Sequence, residues 1–152
     1  MKNKFTTKQI LFVVLAILLI PNGVVGKSRF GTIVKYKGDI RVQRSGETEK
    51  EKVVTTGYEV NANDMLLVGP KSRVFLQMED KSRIVLFQKT VIRPENVNTL
   101  KLIQGKTALN IKKRKSKKKK RFSVRTTSAI VGVRGTRFLV KAEAEDLSLI
   151  HI

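Results

Sequence analysis

Histidine and cysteine, which carry much acid–base, nucleophilic and metal-binding chemistry, are nearly absent from this sequence. It has one histidine, His151, and no cysteine, so neither a nucleophile–histidine pair nor a Cys/His zinc site has its materials. Asp39, Asp64 and Asp80 fall at turn signals. Each is expected to accept from nearby backbone N–H groups, since a calcium site needs several clustered oxygen ligands and this spacing offers none. Glu79 and Asp80 are adjacent, and in a strand they would face opposite ways, a poor acid–base pair. The segment Gly132–Thr136 (GVRGT) holds two glycines, but a phosphate-cradling loop also needs a Lys-Ser/Thr pair at a helix start. Gly132 and Gly135 read instead as backbone that bends between packed strands. The sequence therefore predicts no catalytic residue, no metal, no cofactor and no enzyme.

What the chain has instead is cations. Its 32 Lys and Arg against 12 Asp and Glu give a net charge of +20, which predicts attraction to polyanions or anionic lipid surfaces. The densest part is Lys112–Arg121 (KKRKSKKKKR), where Lys112, Lys113, Arg114, Lys115, Lys117, Lys118, Lys119, Lys120 and Arg121 are interrupted only by Ser116. Such a run has no apolar face, and unpaired charges do not bury, so it is predicted to be a solvated hairpin loop between strands ending near Ile111 and beginning near Phe122. Its two readings are a solubilising spacer and a site that captures lipopolysaccharide, anionic phospholipid or an acidic wall polymer. The run has no aromatic residue for base stacking.

The elements that hold these residues begin with a segment apart. Lys2, Lys4 and Lys8 precede an apolar run, Ile10–Ile20, that Pro21 ends. The run is short against the roughly 20 residues of a membrane span and suits the core of a secretory signal peptide. Cleavage is expected between Gly26 and Lys27, which makes 1–26 a signal peptide, leaves no membrane span after processing and places the product in the periplasm or outside the cell. Nucleic acid is then not an expected physiological partner. Without cysteines, the exported domain must be held by packing and strand pairing alone.

From there the apolar residues recur with a period of two, the mark of strands with one buried face. Thr32, Val34 and Tyr36 share a parity, as do Ile40 and Val42; Val74, Leu76 and Met78; Ile84 and Leu86; Leu100 and Leu102; Thr107, Leu109 and Ile111; Phe122, Val124 and Thr126; and Thr136, Phe138 and Val140. Turn signals at Gly38, Gly57, Gly69-Pro70, Asp80, Pro94 and Gly105 separate them. An all-β domain of short strands follows, in a compact solenoid-like or sandwich-like stack behind the signal-peptide helix.

The most specific stretch, Thr126–Phe138 (TTSAIVGVRGTRF), resembles the C-terminal signature of the FecR domain family, with Gly132, Arg134, Gly135, Thr136 and Phe138 in its G-V-R-G-T-x-F element. Upstream, Asp64–Gly69 resembles that family's G-D-x-I-x-T-G turn, Asp80–Leu86 its D-G-S-x-I-x-L hairpin, and Leu100–Lys106, through Gly105, its L-x-L-x-x-G-K strand. The resemblance runs from about Phe30 to Val140. Asn63 and Lys81 stand where the family usually has Gly, and Thr127 where it often has Pro.

The resemblance implies an exported all-β domain with a binding or scaffolding role. Its namesakes sense an iron-loaded outer-membrane transporter and relay to a sigma factor through a cytoplasmic segment. Here only nine residues precede the apolar run, so that role is not expected to carry over. The expected domain is 27–146. Residues 147–152 lie in a stretch that resembles a translated sequencing adapter, and are expected to be a non-native or unstructured tail on a fragment. Two function classes follow: a binding module that engages another envelope protein or an anionic envelope component, and a structural portion of a larger surface or envelope protein. A FecR-type periplasmic signalling domain is the third. For export, N-terminal sequencing of protein recovered from the cell envelope should start at Lys27 or within a few residues of it, whereas a Met1 terminus on cytosolic protein would overturn that reading.

Overall fold

The computed structural model describes residues 28–53, 55–113, 121–133, 135, 137–142 and 148–151. The expected signal peptide, the cleavage pair Gly26–Lys27 and the centre of the basic run lie outside them.

The described residues form strands and no helix. In chain order they are β1 (Arg29–Lys37), β2 (Ile40–Gln43), β3 (Glu51–Lys52), β4 (Glu59–Asn61), β5 (Met65–Val68), β6 (Arg73–Gln77) and β7 (Arg83–Leu86). There follow β8 (Thr90–Asn96), β9 (Thr99–Asn110), β10 (Phe122–Arg125), β11 (Ile130–Val133), β12 (Arg137–Ala142) and β13 (Ser148–His151). The period of two is obeyed almost throughout. Ile40, Val42, Val74, Leu76, Met78, Ile84, Leu86, Leu100, Leu102, Leu109, Ile111, Phe122, Val124, Phe138 and Val140 all join one hydrophobic core.

The strands form a single sheet that curls over at β9. The N-terminal half of β9 pairs with β8 on one side and β10 on the other. Its C-terminal half pairs with β7 and β12. One flank therefore reads β4-β1-β6-β7-β9-β12-β13, and the other β3-β2-β5-β8-β9-β10-β11. Both turn their apolar faces to the same core, and Phe30 of β1 meets Phe122 of β10 across it at 6.4 Å between ring centroids. The arrangement is a curled half-barrel, and the described strands pair antiparallel everywhere except between β9 and β10. Among the described residues no helix is long and apolar enough to cross a membrane.

Gly105 makes the curl possible. Read as a turn in the sequence, it lies inside β9, where its φ of +95° is a left-handed value that side-chain-bearing residues avoid. A Cβ there would sit 2.6 Å from both Cα and Oγ1 of Thr90. The buried Thr90 hydroxyl caps the kink: Oγ1 accepts from Lys106 N at 3.1 Å and donates to Lys106 O at 3.0 Å.

Two other expectations are corrected. Pro94 is not at a turn but buried in β8, where the ladder shifts register between Pro94 and Asn96; an irregular ladder tolerates a residue without an N–H. In β1 the register shifts between Ile33 and Lys35. This bulge inserts Val34 as an extra residue and reverses the parity, so Ile33 is buried while Val34 is 47% exposed. At the C-terminal end of the described residues, β13 pairs antiparallel with β12.

Gly105→Ala is expected to cost about 3 kcal/mol, because it meets both a forbidden φ and rigid backbone. Gly46→Ala, at a similar φ of +87° but with nothing within 4 Å of the new Cβ, should cost only about 1 kcal/mol. Equal losses in denaturant titrations of the two variants would show that close packing at the kink does not matter.

Candidate functional site

The outer face of the first flank carries its polar residues in rows, because partners in adjacent strands stand side by side. Lys37 of β1 is opposite Arg73 of β6, and Lys106 of β9 is opposite Lys141 of β12. Between the two pairs lies Phe87, whose N–H donates to Lys106 O at 3.1 Å. The Arg73 guanidinium and the Lys106 ammonium stand over its ring at 4.8 and 5.5 Å from the centroid, a cation–π arrangement. Like charges directly opposite are destabilising, so the Lys37–Arg73 pair carries an electrostatic cost in the absence of an anion.

The row floors a cleft of about 970 Å³. Among the described residues seven cations line it, Lys35, Lys37, Lys71, Arg73, Lys89, Lys106 and Lys141, and no carboxylate does. All seven are exposed. The acidic residues that form ion pairs among the described residues do so elsewhere: Glu59 and Glu79 with Arg29, Asp39 with Arg41, Asp64 and Glu51 with Arg44, and Glu95 with Arg125. The described lining is therefore cationic, which suits polyvalent anions.

Two of these lysines are held in a costly conformation. Lys71, in the β5–β6 turn, has φ of +54°, and Lys89, in the β7–β8 turn, +56°. The turns are tied together at the cleft mouth: Lys71 N donates to Gln88 Oε1 at 3.0 Å, and Lys89 N to Gly69 O at 3.3 Å. Gly or Asn is the ordinary occupant of such positions. Asn63 and Lys81, which stand where the resembled family has Gly, likewise have φ of +66° and +62°, and neither lines the cleft.

A second polar assembly is structural. Asp64 is fully buried. Its carboxylate accepts from Arg44 Nη1 at 2.8 Å, Asn61 N at 3.0 Å and Ser45 N at 3.1 Å, so it ties the β2–β3 loop to the β4–β5 turn. Arg44 stacks over Tyr58 at 4.7 Å. Burial, then the hydrogen bond to Glu51, push the Tyr58 phenol above its ordinary range, which keeps it a donor to Glu51. Asp64 thus holds more than its own turn. Asp80 accepts from Ser82 N at 3.0 Å.

The remaining residues singled out in the sequence are dispersed. Gly69 accepts at the cleft mouth and its N–H donates to Asp39 O at 2.9 Å. Gly132 lies within β11 with open space where a Cβ would stand; Gly135, with φ of +64°, lies against Lys113, whose Cβ is 2.8 Å from the position of an added Cβ. Phe138 is in the core. Arg134 and Thr136 lie outside the described residues, as do Arg114, Lys115, Lys117, Lys118, Lys119 and Lys120. Lys112, Lys113 and Arg121 are exposed. The strands on either side of the run are not a hairpin pair: β10 lies parallel to β9, with Ser123 beside Thr99 and Arg125 beside Lys101.

Lys71, Arg73, Lys89 and Lys141 fall in none of the sequence motifs, and Lys106 enters only as the end of the L-x-L-x-x-G-K strand. Their signal was the cation at strand positions facing away from the core, visible in the alternation but not, without strand order, as a cluster. Among the described residues no group of three His, Asp or Glu could hold a metal ion.

Curl, kink and cleft define a small all-β domain with a cation-lined outer face. The family described as FecR protein matches residues 64–150, more than half of the chain, and the chain belongs to that family. The match begins at Asp64, so the resemblance seen from Phe30 to Asn63 falls outside it; β1 nevertheless pairs with β6, and β2 with β5, inside the same sheet. No curated protein and no solved structure matches the chain.

Lys71→Gly, Lys89→Gly and Lys81→Gly should each raise stability by about 0.5–1 kcal/mol, the left-handed cost less the entropy of Gly, seen as a higher melting temperature. Only the first two should weaken binding to a polyanion. Unchanged binding in both would reduce Lys71 and Lys89 to turn residues.

Proposed function

We propose that this FecR-family protein is a non-catalytic, exported binding module that captures an anionic component of the cell envelope. The observation that carries the proposal is the cleft whose described lining holds seven cations and no carboxylate. The ladder fixes the backbone positions of Lys35, Lys37, Arg73, Lys106 and Lys141, so the anion meets an array already assembled, and binding costs only the ordering of the side chains, about 0.5–1.5 kcal/mol for each one immobilised. The Lys112–Arg121 run adds a second, longer-range attraction that fades within about a Debye length, ~8 Å at physiological salt. The Lys-rich start and the Ile10–Ile20 run support export, and with it a partner from the periplasm or the cell surface. Family membership favours a second reading, in which the bound anion or envelope protein is a signal that the domain passes on, as FecR-type regulatory domains do.

Binding of a fluorescent polyphosphate separates the contributions. At about 1 kcal/mol per cation, the triple variant Lys37→Gln, Lys89→Gln, Lys106→Gln should lose roughly a hundredfold in affinity. A variant with Lys115 and Lys117–Arg121 changed to Ser or Gln should lose affinity mainly at low salt. Loss at all salt concentrations in the second variant alone would move the site to the run, and no loss in either would sink electrostatic capture.

A further inference from the structure

Beside the cleft, on the same outer face, lies an apolar groove of about 720 Å³. Its floor is a cross-strand row: Phe75 of β6 is opposite Val85 of β7, Val85 opposite Ala108 of β9, and Ala108 opposite Leu139 of β12. The row spans three strand spacings, about 14 Å. Lys35 and Phe75 line both the groove and the cleft, so the two cavities are continuous. The row of Arg73 and Lys106 stands two residues along the strands from the apolar row, about 7 Å away. On the far side of the apolar row, Arg83 and Arg137 line the groove, and among the described residues no carboxylate does.

This juxtaposition is more than a polyanion needs. A phosphate polymer would use the cations and leave Val85, Ala108 and Leu139 facing water beside it. A ligand pocket that is apolar over most of its wall and polar at one end selects a molecule divided the same way. Resting on the reading that the cleft binds anions, we propose that the bound component is a lipid: a molecule with a phosphate or similar anionic head in the cationic cleft and an acyl chain over Phe75, Val85, Ala108 and Leu139. The cations supply the charge recognition, and the groove removes the chain from water, a gain in proportion to the apolar area covered. The side chains that form the groove point away from the core, so they can be altered without emptying it.

The experiment compares three probes by isothermal titration calorimetry on the full chain: dodecyl phosphate below its micelle concentration, dodecyl maltoside, and inorganic phosphate. Dodecyl phosphate should bind at least tenfold more tightly than either of the others. Val85→Ser and Ala108→Phe, which roughen or fill the groove, should each weaken dodecyl phosphate at least tenfold while polyphosphate binding stays unchanged. Circular dichroism melts confirm that both variants fold, and Val85→Ser serves alone if the bulkier one does not. Equal affinity for dodecyl phosphate and inorganic phosphate, or groove variants that bind the lipid probe like the wild type, would overturn the lipid assignment and leave the anion-binding reading standing. Equal affinity for dodecyl maltoside would overturn it in favour of unselective apolar binding. Loss of polyphosphate binding in the cleft variant alone tests the underlying reading separately.

Discussion

The contact between Gly105 and Thr90 sets the geometry of the whole domain. One strand, β9, serves both flanks of the sheet, and it can do so only by bending sharply without losing its hydrogen bonds. A residue without Cβ lets Thr90 come close enough to satisfy the backbone of Lys106 with a side-chain hydroxyl. The buried N–H and C=O exposed by the kink therefore have partners, which is the condition for bending a core strand at all. Once β9 bends, Phe30 and Phe122 can meet and the two apolar faces close on one core. The same bend brings Gly105 and Lys106 to the wall of the cationic cleft, so the fold's sharpest constraint and its candidate site are neighbours.

The cations on that outer face are maintained at a cost. Lys37 faces Arg73, and Lys71 and Lys89 occupy left-handed positions that Gly would fill more cheaply. Repulsion and backbone strain both oppose folding, and a bound anion relieves only the first. A solubilising surface has no need of either, since lysines on loops with ordinary dihedrals would serve as well. Carboxylates are present elsewhere, in Glu59, Glu79, Asp64 and Glu95, each tied to an arginine. The chain thus separates its charge between an ion-paired part and a cationic face, which a mean composition does not convey.

The strand faces were legible because a period of two has one meaning for a pleated backbone. Val74, Leu76, Ile84, Leu86, Leu100, Leu102, Phe122 and Val124 were assigned inward from alternation, and all are buried. Alternation failed at Val34, where a bulge adds a residue and exchanges the faces; nothing local marks the insertion. It also misread Gly105 and Pro94. Both residue types signal turns on average, yet one supplies a kink and the other sits at a register shift. The left-handed positions at Asn63 and Lys81 were foreshadowed by the family pattern, since Gly stands there for the same dihedral reason.

What lay beyond reach was adjacency. Composition and alternation specify local chemistry: a basic chain, short strands, inward and outward faces, few catalytic groups. They do so because each depends on a residue and its immediate neighbours. Which strands lie side by side depends on contacts between residues far apart in the chain, and only the folded sheet decides it. That is why the eye went to Lys112–Arg121, whose charge is contiguous in sequence, and passed over Lys37, Arg73, Lys106 and Lys141, which become one row only when β1, β6, β9 and β12 are laid in one flank. The parallel placement of β10 against β9 had the same origin: it is settled by closure of the core, not by the residues of the loop between them.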